Sequence, residues 1–157
     1  MNKKQLRIEY IELSSLEKLS ETEHRLINKA KSAAKKAYAP YSGFHVGAAI
    51  LLENGEIFTG CNQENAAFPS GICAERVALS AAATVFPEVP VQTMVITAWT
   101  NGKFINLPVT PCGSCRQVML QTQIRYSKHI RLILYAEEKC FILENAADLL
   151  PLPFDKF

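Results

Sequence analysis

The feature that most constrains the fold is a pair of short segments that place three cysteines near the predicted starts of two helices. Cys73 precedes an alanine-rich stretch, and two residues separate Cys112 from Cys115 where a later helical pattern begins. Thiols in the first turn of a helix ionise readily, because unpaired N–H groups and the helix dipole favour an anion there. A metal bound by all three thiols would hold two helix starts together.

The composition of the 157-residue chain is that of one globular domain. Hydrophobic residues make up 48% and charged residues 20%, and the net charge of +2 predicts no basic face for nucleic acid. No apolar run approaches the roughly 20 residues of a membrane span, and the first residues lack the apolar part of a secretory signal. The odd number of cysteines, five, favours a reduced, cytoplasmic protein in which some thiols bind a metal.

Hydrophobic patterns and turn signals predict the order of the elements. The capping-box sequence that begins at Ser20 predicts a first helix, which Pro40 ends. Thr110, as N-cap, and Pro111 predict the start of the third helix, and the Asn54-Gly55 pair predicts a hairpin. The predicted strands cover residues 46–52, 57–61, 91–100, 130–135 and 140–143, and the later helices cover 72–85, 110–124 and 145–150.

Strands that alternate with helices predict an α/β fold in which one mixed sheet is covered by helices on both faces. We therefore expect a single-domain, three-layer α-β-α sandwich with a mixed five-stranded sheet. This domain covers residues 20–157 and follows an N-terminal extension of residues 1–19. Residues 5–13 alternate partly in hydrophobicity, which fits either a further strand or an arm that docks on its own domain or on a neighbour.

The spacing of the cysteines indicates a zinc site. Cys112 and Cys115 lie one helical turn apart on one face, and two thiolates need a further ligand, for which Cys73 is the candidate. A redox pair is a weaker interpretation, because it leaves Cys73 without a role. A closed structural zinc site with Cys61 or Cys140 as the fourth ligand is a stronger alternative, although both fall in predicted strands, where buried cysteine is common.

Glu75 favours catalysis over a structural site. At the mouth of a helix, Cys73 and Glu75 can both reach a point ahead of the helix axis. Three thiolate ligands leave a fourth position for water, beside which Glu75 can move protons. Three thiolates give zinc a net negative charge, so a cation must draw charge from the sulfurs, and Arg76 lies on the side of the helix that carries Cys73. Without the cysteines nearby, the simplest interpretation of Glu75 would be a solvated carboxylate in the first turn of a helix, and that of Arg76 would be a member of a surface ion pair.

Three residues of the loops suit a nucleoside. In an extended segment, Asn62 and Glu64 point to one side, and an amide beside a carboxylate suits a pair of sugar hydroxyls. Phe44, in the loop before the first predicted strand, is placed to stack on a flat base. By themselves these residues would be a polar turn and a core aromatic.

Together, these motifs resemble the small, homotetrameric cytidine deaminases whose zinc is bound by three cysteines. The stretches that carry the resemblance are residues 41–49, 60–66, 73–76 and 111–118, within a similarity that covers about residues 22–154. The zinc deaminases combine three protein ligands with a glutamate that does not bind the metal. The resemblance implies one Zn²⁺ per subunit, bound by Cys73, Cys112 and Cys115, and proton transfer by Glu75.

The resemblance also implies the remaining site residues and the assembly. Asn62 and Glu64 would bind the ribose, with Glu64 near the 3′-hydroxyl. The backbone of Ala74 would read the pyrimidine, Phe44 would stack near it, and Arg76 would temper the charge of the zinc site. Phe154, in the tail, would reach the site of a neighbouring subunit of a homotetramer, whose active sites lie at subunit interfaces.

The expected reaction is the hydrolytic deamination of cytidine and 2′-deoxycytidine to uridine and 2′-deoxyuridine, a step of pyrimidine salvage that releases ammonia. A second candidate is the same chemistry on another aminopyrimidine nucleoside, such as a cytosine-containing antibiotic. A zinc-stabilised binding module with four cysteine ligands is the non-enzymatic alternative. Deamination of a nucleic acid is disfavoured, because the chain has no basic strip that would hold a strand.

Overall fold

The protein is a three-layer sandwich around one mixed sheet, in a computed structural model that describes residues 1–155. Within these residues, the strands are β1 (Ile11–Leu13), β2 (His45–Leu52), β3 (Ile57–Cys61), β4 (Val91–Thr100), β5 (Lys103–Phe104), β6 (Arg131–Tyr135) and β7 (Cys140–Leu143). Six of these seven strands follow the order β1-β7-β6-β4-β2-β3, and the seventh, β5, pairs with β4. β4 and β6 are parallel, and the other neighbours are antiparallel.

Helices cover both faces of the sheet. The helices are α1 (Glu21–Ala34), α2 (Ala74–Val85) and α3 (Gly113–Tyr126), with 3-10 turns at Leu16–Lys18, Phe68–Ser70 and Ala146–Leu149. The buried face of α1 packs on Val95 and Ile133 on one side of the sheet. On the other side, α2 and α3 pack on alternate residues of the same strands, such as Met94 and Leu132. The predicted three-layer α/β architecture is therefore confirmed.

Two glycines on neighbouring strands let the helices approach the sheet closely. A Cβ on Gly47 would lie 2.1 Å from the carbonyl oxygen of Ala30 in α1. A Cβ on Gly60 would lie 2.3 Å from the carbonyl oxygen of Ala74 in α2. Gly60 pairs with Ala48 in the ladder, so the two glycines face opposite sides of the sheet. Gly60 therefore fixes the height of the first turn of α2 above β3.

The sheet has two strands more than predicted. β1 comes from residues 5–13, where the sequence favoured either a strand or an arm, and it pairs with the edge of β7. Tyr10 stacks on Phe141, with ring centroids 5.1 Å apart, and Lys139 binds Glu12 at 2.7 Å. β5 lies in a predicted loop and adds two residues to β4. The five predicted strands correspond to β2, β3, β4, β6 and β7.

The helix boundaries differ from the predictions because the flanking residues have other partners. α1 ends at Ala34 rather than near Pro40, because Tyr38 leaves the helix to bond with the backbone of residues 62 and 64. α2 begins at Ala74 rather than at residue 72, because Ile72 forms an antiparallel bridge with Gln63.

The starts of the later elements differ in the same way. α3 begins at Gly113, and its N-cap is Cys112 rather than Thr110, because the Cys112 sulfur accepts the N–H of Cys115. The predicted helix at residues 145–150 is a 3-10 turn with Asn145 as its N-cap. The capping box between Ser20 and Glu23 and the turn at Gly55, with φ +87°, are as predicted.

Replacing Gly60 by alanine tests the close approach of α2. We expect Gly60→Ala to lower the free energy of unfolding by about 1–3 kcal/mol, the usual cost of forcing extra volume into a packed interior. We also expect weaker zinc retention, because the first turn of α2 carries Cys73 as its cap. Urea denaturation and metal analysis measure both quantities.

Gly113→Ala is the matched control, because the structure has open space where its Cβ would lie. We expect its free energy of unfolding to change by no more than about 1 kcal/mol, in the stabilising direction typical of alanine in a helix. A Gly60→Ala variant as stable as the unmodified protein would contradict the fixed approach of α2.

Candidate active site

Three thiols meet where α2 and α3 begin. Cys73 is the N-cap of α2, Cys112 is the N-cap of α3, and Cys115 lies in the first turn of α3. Their sulfur atoms all lie within 4.8 Å of one another, and those of Cys73 and Cys112 are 3.8 Å apart. Cys115 is buried, Cys73 is half-buried and Cys112 is exposed, so the cluster opens to the surface on one side.

The donor set fits zinc. Two sulfurs bound to a tetrahedral zinc at about 2.3 Å lie roughly 3.8 Å apart, close to the spacing of Cys73 and Cys112. Cys61 and Cys140 do not belong to the cluster. Cys140 is buried against the α1 face of the sheet, and the sulfur of Cys61 accepts a bond from Gln63 at 3.3 Å. The closed four-cysteine site is therefore disfavoured for residues 1–155.

The pKa values of Cys73 and Cys115 are shifted in opposite directions. Cys73 has its pKa lowered to about 6, chiefly because Cys115 hydrogen-bonds its sulfur, while the charge of Arg76 contributes less. The same hydrogen bond, followed by burial, raises the pKa of Cys115. Of these two thiols, Cys73 has the lower pKa. Ionised sulfur is the form that binds a metal.

Glu75 is a buried carboxyl group next to this cluster. It lies in the first turn of α2 and is only 4% exposed. Burial raises its pKa, while a hydrogen bond with Cys115 acts in the opposite direction. A carboxyl group with a raised pKa is suited to take up and release a proton near neutral pH.

The two arginines beside the cysteines have different surroundings. Arg76 is half-buried in the first turn of α2, and its charge lowers the pKa of Cys73. Arg116 bonds instead to oxygens of the main chain and of Thr110. Its guanidinium donates to the carbonyl of Pro111 at 2.9 Å, to that of Leu149 at 2.8 Å and to the Thr110 hydroxyl at 3.1 Å. Arg116 therefore connects residues 110–111, which lead to Cys112, with the C-terminal 3-10 turn.

A cavity of about 260 Å³ lies beside Cys73. Asn62 and Glu64, which the sequence pattern singled out, both line it, together with the exposed rings of Tyr41 and Phe68. These two rings meet edge to face, with centroids 6.0 Å apart. The cavity therefore offers polar groups and aromatic surface next to the thiol cluster.

The side chain of Asn62 is bonded to the start of β2. Its amide donates to the carbonyl of Phe44 at 2.9 Å, and its oxygen accepts the N–H of Val46 at 2.7 Å. An amide has two donors and two acceptor positions, so one of each stays available. Asn62 thus fixes the backbone of Phe44 while it lines the cavity.

Glu64 binds Tyr41 and Ser42, two residues of the Phe44 loop for which the sequence predicted no role in the site. Its carboxylate accepts the N–H groups of Tyr41 and Ser42, at 2.8 and 3.3 Å, and the hydroxyl of Ser42. The Ser42 hydroxyl is the largest cause that lowers the pKa of Glu64. Both residues lie in the stretch 41–49 that carries the family resemblance, but no spacing in the sequence identifies Glu64 as their partner.

The other predicted residues lie at different distances from the cluster. Ala74 is buried and opens α2, directly after Cys73. Phe44 is half-buried and is connected to the cavity through its backbone bonds with Asn62. Phe154 is 69% exposed, lies outside the lining of this cavity, and accepts a bond at its carbonyl from Gln117 at 2.7 Å.

No helix within residues 1–155 has both the length and the apolar character to cross a bilayer.

The residues that form this site lie in a part of the chain that is similar in sequence to known proteins. A family model described as the cytidine and deoxycytidylate deaminase zinc-binding region matches residues 20–129. The cytidine deaminase of Sporosarcina psychrophila is 43% identical over 97 residues, which are 62% of this chain and 67% of that protein. The cytidine deaminase of Halalkalibacterium halodurans is 43% identical over 96 residues, 61% of this chain and 68% of that protein.

Solved structures share the fold. The crystal structure of cytidine deaminase from Burkholderia pseudomallei is 39% identical, with a TM-score of 0.71, and the match covers 83% of this chain and 98% of that one. Cytidine deaminase from Mycobacterium tuberculosis is 32% identical, with a TM-score of 0.65, covering 85% and 97%. With its three-thiol cluster and buried glutamate, the chain belongs to the cytidine and deoxycytidylate deaminase zinc-binding family.

Proposed function

We propose that the protein catalyses the hydrolytic deamination of cytidine and 2′-deoxycytidine to uridine and 2′-deoxyuridine with release of ammonia, as a step of pyrimidine salvage. The observation that carries the proposal is the buried carboxyl group of Glu75 at the three-thiol cluster, whose Cys73 lines a 260 Å³ cavity. The relatives named as cytidine deaminases support the choice of substrate.

The metal is one zinc ion per subunit, held by Cys73, Cys112 and Cys115. When bound, zinc supplies a Lewis acid that makes water a better nucleophile. Glu75 takes a proton from the attacking water and delivers it to N3 of the pyrimidine. It then takes the second proton from the hydroxyl group that has added to C4 and delivers it to the amine, so that the C4–N bond breaks, the C4 carbonyl forms, one water is consumed and one ammonia is released. Burial supports this role, because it raises the pKa of Glu75 above the usual range of a carboxyl group.

Residues at the cavity and near it bind the sugar and the base of the nucleoside. Asn62 and Glu64 bind the ribose, with Glu64 at the 3′-hydroxyl. The backbone of Ala74 reads the pyrimidine edge, and Phe44 stacks near the base. Arg76 offsets the negative charge of the thiolates, which is supported by its effect on the pKa of Cys73.

The assembly is a cytoplasmic homotetramer whose active sites lie at subunit interfaces, and it acts on free nucleosides rather than on nucleic acid. The exposure of Cys112 and Phe154 in a single chain supports this arrangement, because both have surface left for a neighbour to cover. Phe154 then reaches a neighbouring subunit's site from a tail that Gln117 holds on α3.

Replacing Glu75 by glutamine tests the proton-transfer role. We expect Glu75→Gln to keep its zinc and to lower kcat for cytidine by about 10²–10⁴-fold, the contribution typical of a positioned general acid–base group. The loss of absorbance on conversion to uridine measures turnover, and metal analysis of the same sample measures zinc. Glu88→Gln, at an exposed glutamate in the loop that follows α2, is the control and should match the unmodified enzyme. Unchanged turnover in a zinc-loaded Glu75→Gln variant would exclude the mechanism.

Replacing single cysteines tests the ligand set. We expect Cys73→Ala to lose bound zinc and activity, because two thiolates remain. Cys61→Ala and Cys140→Ala should keep about one zinc per chain, since three ligands suffice for a catalytic zinc site. Inductively coupled plasma analysis after dialysis against a weak chelator measures retention. Zinc loss in both Cys61→Ala and Cys73→Ala would indicate a closed four-cysteine site instead.

A further inference from the structure

Ser42 has a connection to the cavity that the proposed function leaves unused. Its hydroxyl donates to one carboxylate oxygen of Glu64 and accepts the N–H of Phe44 at 3.0 Å. The backbone N–H of Ser42 donates to the other oxygen of Glu64 at 3.3 Å. A single serine therefore touches both the carboxylate at the cavity wall and the backbone of the half-buried aromatic residue.

Within residues 1–155, the Glu64 carboxylate accepts hydrogen bonds from two neighbouring residues, Tyr41 and Ser42. An ionised carboxylate offers about four acceptor positions. The Tyr41 and Ser42 N–H groups and the Ser42 hydroxyl occupy three of them. One acceptor position of the Glu64 carboxylate therefore remains available. The loop fixes the orientation of this carboxylate, and the Glu64 side chain lines the cavity.

The loop that carries Ser42 is itself anchored. Gly43 has a φ of +64°, which glycine adopts without strain, and its N–H donates to the carbonyl of Ala39 at 3.0 Å. The hydroxyl of Thr100 on β4 donates to the carbonyl of Gly43 at 3.1 Å. The Ser42 hydroxyl is thus presented to Glu64 from a defined backbone.

We infer that Ser42 is a positioning residue that sets selectivity for a sugar hydroxyl, because its own hydroxyl orients the Glu64 carboxylate toward the substrate. The inference rests on the proposed function, in which Glu64 receives the 3′-hydroxyl. Ser42 itself does not contact the reacting atoms. Its effect therefore falls on substrates that possess the hydroxyl that Glu64 binds.

A purely structural role for Ser42 makes a different prediction. If the hydroxyl only stiffened the loop, its removal would weaken turnover of every nucleoside by the same factor. The ratio of kcat/KM for cytidine to kcat/KM for 3′-deoxycytidine separates the two roles, because the substrates differ only in that hydroxyl.

The experiment compares Ser42→Ala and Ser42→Thr with the unmodified zinc enzyme on both nucleosides. Ser32→Ala, at an exposed serine on α1 outside the loop, is the matched control. The same variants are made in a Glu64→Ala background to give a double-mutant cycle. Zinc content and urea denaturation are measured for each protein.

We expect Ser42→Ala to lower kcat/KM for cytidine by about tenfold or more, mainly through KM, as for loss of a hydrogen bond to a charged group. For 3′-deoxycytidine the loss should be less than about twofold, Ser42→Thr should restore the ratio, and the effect should vanish in the Glu64→Ala background. Equal losses on both nucleosides, no loss on either, or a full effect without Glu64 would overturn the inference. The proposed function fails separately if the unmodified zinc enzyme does not deaminate cytidine.

Discussion

The structure depends on the convergence of two helix N-termini on three sulfur atoms. Sulfurs within 4.8 Å of one another cannot all be thiolates without a cation, because like charges at this distance repel strongly. The hydrogen bond between Cys73 and Cys115 lowers the pKa of Cys73 and raises the pKa of Cys115. Binding of a metal must therefore release protons, so the affinity for zinc rises with pH.

The sheet supplies the rigidity that this convergence requires. Gly60 lets the first turn of α2 rest directly on β3, and the bridge between Gln63 and Ile72 delivers the chain to Cys73 in an extended form. The helix can then begin directly after Cys73. The cavity forms on the same segment, so one run of backbone places the cavity next to the thiol cluster.

The sequence predicted those parts of the fold and site that depend on local patterns. The capping box at Ser20 and the three-layer α/β architecture are confirmed, and the cysteine spacing correctly indicated a cluster of three thiols. Helix starts were wrong by one to three residues, because Ile72 pairs with Gln63 and Cys112 caps its own helix. β1 forms within residues 5–13, where the alternation allowed either a strand or an arm, whereas the two residues of β5 are too few for a pattern and only the pairing with β4 defines them.

The contacts of single side chains were harder to predict, because partners distant in sequence determine them. Ser42 contacts Glu64, 22 residues away, and no motif spacing relates the two residues. Arg116 directly follows Cys115 in the sequence, yet its guanidinium bonds to the carbonyl of Leu149 and to two residues before Cys112. Every residue has a backbone carbonyl acceptor, so the sequence does not show which carbonyl groups Arg116 will bond to.

The bonds of Arg116 have a thermodynamic consequence for the tail. One guanidinium joins the segment before a thiol ligand to the turn that leads into residues 150–155. A coupling free energy between two sites is the same in both directions. If zinc bound at the thiols steadies the tail through Arg116, an ordered tail must in return tighten the hold on zinc by the same factor.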